Sequence, residues 1–320
     1  MKRVPELESA FAPFIRDFID QKKSDGYDYS AEEEILARFD RFITRAFPGE
    51  TVLSRDIFLA WSEKRESEGA NFRARRVTAV RQLALYMDSL GIDAYISHDR
   101  FSTEKPHARV LTQEELSAFF AEVDKGRGYG SSLMFDIEYQ VLFRLCYCCG
   151  LRLNEACSLK WGNVDADAGT IMIVDSKNRK DRIVYMADDM AALMRRYRER
   201  IKDFSPEDAW VFPGGKPGAH VLKTSICKIF RQIWSRTPYA GKATKRPTTH
   251  SLRHGFVVDR MNAWMLEGVD LATKAPYLSM YLGHESMEET FYYYHQANKA
   301  YQIIKEKDFV SGTIIPEVGQ

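Results

Sequence analysis

Residues 170–186 read TIMIVDSKNRKDRIVYM. Two short runs rich in β-branched and aromatic residues, 170–174 and 182–186, flank the polar turn DSKNRKD, which is the pattern of a hairpin. Nearly everything else in the chain has helical periodicity. This one stretch therefore separates an all-helical bundle from a mixed fold. The expected class is mainly α with a small β-sheet.

Upstream of the hairpin, VLFRLCYCCGLRL at 141–153 is the most apolar stretch. It is too short for the roughly 20 residues of a membrane span and is interrupted by arginines, so it reads as a core helix, within 133–149 and ending at Gly150. Downstream, a helix is expected at 190–201. FPGGKPG at 212–218 is loop, and it lacks the GK[ST] ending of a phosphate-cradling P-loop. No nucleotide site is implied.

The first hundred residues carry four helical patterns. Leu7, Phe11, Phe14, Ile15 and Phe18 mark the first, and Ile35, Leu36, Phe39, Phe42 and Ile43 the second, which Pro48-Gly49 ends. Ser54 is a candidate cap for a third with Phe58 and Trp61. The fourth runs over 71–90 with Val77, Val80, Leu83, Ala84 and Met87 inward. Its arginines, Arg73, Arg75, Arg76 and Arg81, form either a solvated face or a phosphate-binding one. Residues 97–109 lose periodicity and read as a linker between a helical domain at 1–96 and a second domain at 110–320. The second opens on LTQEELSAFF, with Thr112 placed to cap a helix.

The 320 residues carry a net charge of +1. Residues 1–106 hold 17 Lys and Arg against 19 Asp and Glu, and the remainder 29 against 26, so any anion binding must rest on local clusters. The N-terminus, MKRVPELESA, lacks the apolar core of a signal peptide, and a cytoplasmic protein is expected. The five cysteines form no paired CxxC units, so free buried thiols are expected and no metal.

Four local groupings could carry chemistry. In GLRLNE, Gly150 breaks a helix and Arg152 falls in the first turn of the next, with Glu155 on the same face to hold the guanidinium. Lys177 sits in the hairpin turn with Lys180 and Arg182. In THSLRH, His250, Arg253 and His254 share one helical face. The spacing suits an anion site better than zinc, because the glutamate of a metalloprotease helix is absent. Finally, Gly283 supplies a left-handed turn in LGH, and Ser286 and Glu289 are spaced as a capping box for a last helix. On that helix Tyr294 joins an apolar stripe with Met287 and Phe291, and Tyr292 shares a face with Glu288 and Glu289. Tyr293 lies at the boundary beside Thr290, where a cleft can form. Geometry nominates Tyr293 among the three tyrosines.

The order Arg…Lys…His-x-x-Arg…His…Tyr, carried by GLRLNEA, SKNRKDR, HSLRHGF, LGH and a tyrosine nine residues after that histidine, resembles the tyrosine recombinase (phage integrase) family. Phe256 departs from the small residue common at that position in the family. The resemblance implies an N-terminal helical (SAM-like) core-binding domain and a mixed α/β catalytic domain. It also implies site-specific recombination of double-stranded DNA through a 3′-phosphotyrosyl intermediate, with four protomers on two duplexes. Arg152, Arg253, His250 and His284 would hold the scissile phosphate, Tyr293 would attack it, and Lys177 would protonate the leaving 5′-oxygen. Arg73, Arg75, Arg76, Lys180 and Arg182 are the expected DNA contacts. Because the covalent ester stores the bond, no ATP or metal is expected; neither a membrane nor a small-molecule substrate is among the expected partners. A type IB topoisomerase and a catalytically silent DNA-binding protein are the alternatives. In the final segment, Phe309, Val310, Ile314 and Ile315 would pack in cis or on a neighbouring protomer.

Overall fold

The computed structural model describes residues 7–99, 101, 103, 109–126, 133–174, 181–203, 206, 209–242, 245–284 and 286–294, with the backbone alone for 133–136, 287, 293 and 294. Contacts divide the chain into two units, Met1–Pro106 and His107–Gln320.

The first unit is four helices: α1 (Ala12–Ser24), α2 (Ser30–Ala46), α3 (Arg55–Ser62) and α4 (Ala70–Ser89). Ser54 caps α3, its hydroxyl accepting from the Ile57 amide. Phe11, Leu36, Phe39, Phe58, Val80 and Leu83 are wholly buried where the other three helices meet α4. This packing settles the fate of the α4 arginines. Arg76 is 1% exposed and points into the core. Its guanidinium grips both oxygens of Glu68 at 2.6 and 2.7 Å, donates to the Trp61 and Glu63 carbonyls, and lies over the Trp61 ring. The expectation that Arg76 contacts DNA is therefore corrected: helical spacing put it beside Arg75, but its phase matches Val80 and Leu83. Removing one partner of such a buried pair costs about 3–5 kcal/mol.

In the second unit α5 (Gln113–Asp124) begins with a Thr112–Glu115 capping box. Next, α6 (Leu133–Cys148) runs through the centre, touching α5, α7, α8 and α10. Val141, Leu142, Phe143 and Leu145 have no exposed surface, while Gln140, Arg144 and Cys148 form the side of the helix that is open to solvent. Of the cysteines on or directly after it, Cys146 and Cys149 are buried, whereas Cys148 is exposed, contrary to the expectation of uniformly buried thiols. Glu138, on the same helix, is 3% exposed and burial pushes its pKa up to about 8.

After α7 (Leu153–Cys157) and a 3₁₀ turn at Trp161–Asn163 comes an antiparallel sheet in the order β1 (Val164–Asp165), β2 (Thr170–Ile173), β3 (Arg182–Tyr185). The hairpin expected from residues 170–186 is present. The two-residue β1 is an addition, too short to leave a pattern. Ile171, Ile173 and Val184 face the core, while Met172, Ile183 and Tyr185 face out. The remaining helices are α8 (Asp188–Ile201), α9 (Lys223–Arg236), α10 (His250–Leu266), α11 (Leu271–Leu282) and α12 (Met287–Tyr294). Among the described residues no helix is long and apolar enough to cross a membrane.

Candidate active site

The site is organised around the end of α11. Gly283 takes φ +64°, its amide donates to the Met280 carbonyl, and the His284 amide donates to Ser279. This pair of bonds is a Schellman closure, and it turns the chain sharply so that His284 leaves the helix beside its own last turn. The Nδ1 of His284 is 2.7 Å from the hydroxyl of the buried Thr290. That contact ties the turn to α12, which carries Tyr293 one turn further on.

Two guanidiniums converge on this turn. Arg152 donates to the Gly283 carbonyl at 2.5 Å. Arg253, 1% exposed on α10, donates to the Leu282 carbonyl at 2.7 Å and to the Gly150 carbonyl at 2.6 Å. Cations at the carbonyl end of a helix are electrostatically favoured. Arg152 directly precedes α7, at its N-cap position, so it stands one place outside the first turn expected for it. Its side chain is 20% exposed, the more open of the two cations.

Glu155 holds Arg152 as expected, with Oε2 2.8 Å from the Arg152 amide and Oε1 3.0 Å from its guanidinium. The same carboxylate is gripped on both oxygens by Arg182, at 3.0 and 2.7 Å. Burial pushes the Glu155 carboxyl up, but the hydrogen bonds and charge of Arg182, with the Arg152 amide, bring it below the usual carboxylate range. Arg182 also donates to the Tyr281 carbonyl at 2.8 Å, and its side chain is 8% exposed. A DNA-contacting role for Arg182 on a solvated turn is thus corrected. It is the first residue of β3 and shares the inward phase of Val184. The strand's alternation could have revealed this, had the outward Ile183 and Tyr185 not been apolar.

The histidines complete the site. The rings of His250 and His254 stand 4.3 Å apart, edge to face. His250 reaches solvent, yet the protein crowded around it, together with Arg253 and Arg152, lowers its pKa to about 4. Burial and the same two arginines lower His284 to about 3, and burial with His250 and Arg253 pulls His254 well down. All three imidazoles are neutral at pH 7. Among the described residues no cluster of three or more His, Cys, Asp or Glu could hold a metal ion.

Two glycines make this convergence possible. A Cβ on Gly150, at φ +65°, would lie 2.6 Å from the Phe256 ring, and one on Gly283 would lie 3.2 Å from the Arg182 guanidinium. Phe256, the residue departing from the small one common at its position, stacks on Tyr281 and occupies the space that Gly150 leaves. Lys177 and Lys180 lie outside the described residues, as do the side chain of Tyr293 and the segment with Phe309, Val310, Ile314 and Ile315. Thr290 and Arg182 are the site residues whose positions the motifs did not disclose.

In the first unit Arg75 pairs with Glu32, and Arg73 donates to the Ser62 carbonyl and lies over the Phe101 ring. A more open basic surface lies on α2, where Arg38, Arg41 and Arg45 line a hollow of about 380 Å³ with Phe42. The three are exposed and stand on one helical face.

The chain is similar to known proteins in sequence and in fold. The chain is 28% identical over 319 residues to y4rE of Sinorhizobium fredii, a protein named as an integrase/recombinase, covering 95% of this chain and 99% of that one. It is 25% identical over 230 residues to the tyrosine recombinase XerD of Rhizobium meliloti, covering 71% and 70%. In structure it is similar to the XerH site-specific recombinase bound to its palindromic difH substrate in a post-cleavage complex. There the TM-score is 0.64 at 20% identity, over 88% of this chain and 79% of that one. A lambda integrase dimer bound to a core site gives a TM-score of 0.62 at 14% identity, over 88% and 94%. These two likenesses establish the fold. The model of the phage integrase family matches residues 109–300, which is more than half of the chain and holds every group at the Gly283 turn, and the chain belongs to that family.

Proposed function

We propose that this chain is a site-specific DNA recombinase in which Tyr293 attacks a phosphodiester held at the Gly283 turn. The observation that carries the reading is the meeting of Arg152 and Arg253 on adjacent carbonyls, Gly283 and Leu282, at the head of the helix that bears Tyr293. Two fixed guanidiniums suit an anion whose charge grows in a pentacoordinate transition state. At an effective dielectric near 20, one such charge 4 Å from an oxyanion is worth about 4 kcal/mol. Arg253 supplies its charge from beneath, and Arg152 is the guanidinium open to the phosphate. His250 and His284, neutral before DNA arrives, add hydrogen bonds without the repulsion that two further cations would bring.

In this reading the Tyr293 phenol releases its proton to solvent as its oxygen bonds to phosphorus, the bond to the 5′-oxygen breaks, and Lys177 gives that oxygen its proton. A positioned general acid contributes about 10²–10⁴-fold. The energy of the broken bond is kept in the phosphotyrosyl ester, and a 5′-hydroxyl from a second site reverses the step. Exchanging both strands between two duplexes takes four cleavages, hence four tyrosines and an assembly of four protomers. XerH is named as bound to its DNA site, which supports double-stranded DNA as the partner.

The test uses a nicked DNA site whose cleaved end diffuses away, so that covalent complex accumulates and is seen on a denaturing gel. Tyr293→Phe should give none while binding the site normally, and Tyr292→Phe should react. A dead Tyr292 variant with an active Tyr293 variant would overturn the assignment. Supercoiled plasmids with paired sites distinguish the activity: recombinants support the proposal, and relaxation alone would favour a topoisomerase.

A further inference from the structure

The charges at the site do not pair off evenly. One carboxylate, Glu155, 7% exposed, stands between two guanidiniums, Arg152 and Arg182. Arg182 takes it side-on with two bonds, at 3.0 and 2.7 Å, whereas the Arg152 guanidinium makes a single bond to it at 3.0 Å. The bidentate arrangement is the stronger one. The group of three therefore carries one net positive charge, and the guanidinium less committed to Glu155 is the more exposed.

We infer that Arg182 is a positioning residue for strand cleavage: by occupying both oxygens of Glu155, it leaves Arg152 with an uncompensated charge for the scissile phosphate. The inference rests on the function proposed above. Without Arg182, Glu155 would have Arg152 as its one strong partner. The group would become a neutral ion pair, and the guanidinium would be drawn toward the carboxylate and away from the anion. The bond from Arg182 to the Tyr281 carbonyl acts in the same direction. It fixes β3 to the last turn of α11, so the strand that follows the Lys177 turn and the Gly283 carbonyl that anchors Arg152 share one support.

A merely structural strut and a charge-balancing one differ in how they respond to removal of the carboxylate. Arg182→Gln should slow covalent complex formation at saturating DNA by on the order of 10²-fold, the effect of losing one preorganised oxyanion partner, with little change in DNA affinity. Adding Glu155→Gln removes the group that captures Arg152 and should restore at least about tenfold of that loss, although it removes a second native ion pair. Arg182→Lys, which keeps the charge but covers one oxygen, should fall between the parent and Arg182→Gln. Thermal melts of each variant show whether it is folded. If Arg182→Gln fails to fold, the Arg182→Lys chain with and without Glu155→Gln carries the same comparison. A double variant no faster than its single parent, both folded, would overturn the inference, as would full activity of Arg182→Gln. Absence of covalent complex from the unsubstituted chain would instead overturn the proposed function itself, and this inference with it.

Discussion

Replacing Gly150 by alanine tests the packing that holds Arg253. At φ +65° an L-residue costs about 1–2 kcal/mol. The new methyl would also lie 2.6 and 2.9 Å from two atoms of the Phe256 ring and 3.1 Å from Leu282. That ring is 8% exposed and stacked on Tyr281 at 5.8 Å, so it has little room to step aside. Overpacking of this kind costs about 1–3 kcal/mol, which brings the total to about 2–5 kcal/mol. Phe256→Ala removes both ring atoms that meet the methyl and none of the backbone cost, so in that background the same substitution should cost only about 1–2 kcal/mol. Urea unfolding followed by tryptophan fluorescence is the assay, since Trp161, Trp210, Trp234 and Trp264 all lie in the second unit. Cleavage should fall alongside stability, because the Gly150 carbonyl that accepts from Arg253 would shift. A loss below about 0.5 kcal/mol, the range of neutral surface changes, would refute the reasoning, and so would an equal loss in both backgrounds.

Three further outcomes are expected. Lys177→Ala should slow cleavage of ordinary DNA far more than cleavage of DNA with a 5′-bridging sulfur, whose leaving group needs no proton; equal slowing would remove the general-acid role, and a defect confined to Lys180→Ala would move it along the hairpin. Glu138 keeps its proton in the folded chain to about pH 8 and loses it near the ordinary carboxylate value when unfolded, so its contribution is fully present at low pH and lost as pH rises between the two. Glu138→Gln should therefore gain on the parent by up to about 1.4 kcal/mol per pH unit across that window, read from urea midpoints at pH 5 and pH 8, and parallel curves would refute it. Alanine at Arg38, Arg41 and Arg45 should flatten the salt dependence of DNA binding by about one unit of slope for each lost phosphate contact, whereas the same change at Arg75 should do less because Glu32 already neutralises it; unchanged slopes would make the α2 stripe a solvated face.

What could be read from the chain was whatever depends on neighbours a few residues away. The hairpin at 170–186, the Thr112 and Ser54 caps and the Gly283 turn all declare themselves through local rules, and the structure has each of them. Glu155 was read correctly as a partner of Arg152 because three residues of helix bring them together. What failed was the direction in which a long cation points. Arg76 and Arg182 sit in basic clusters, and charge argued for solvent. Each is buried because an acid outside its own helix or strand, Glu68 or Glu155, meets it there, and helical or strand periodicity does not encode such a pairing. The α2 stripe escaped notice for the opposite reason, since three arginines spaced along an ordinary amphipathic helix are indistinguishable from any wet face until the hollow beside Phe42 is seen.

Besides the Glu155 carboxylate, the two guanidiniums at the Gly283 turn are held by main-chain acceptors: Gly150, Leu282 and Gly283 each contribute a carbonyl. No point mutation deletes a carbonyl. The reference points for both cations survive as long as the path of the backbone through these carbonyls is kept. A single-residue insertion or deletion between 280 and 286 has the reverse effect, since it can keep Arg152 and Arg253 unchanged and still move the whole datum. Length, more than identity, is the quantity this turn has to inherit.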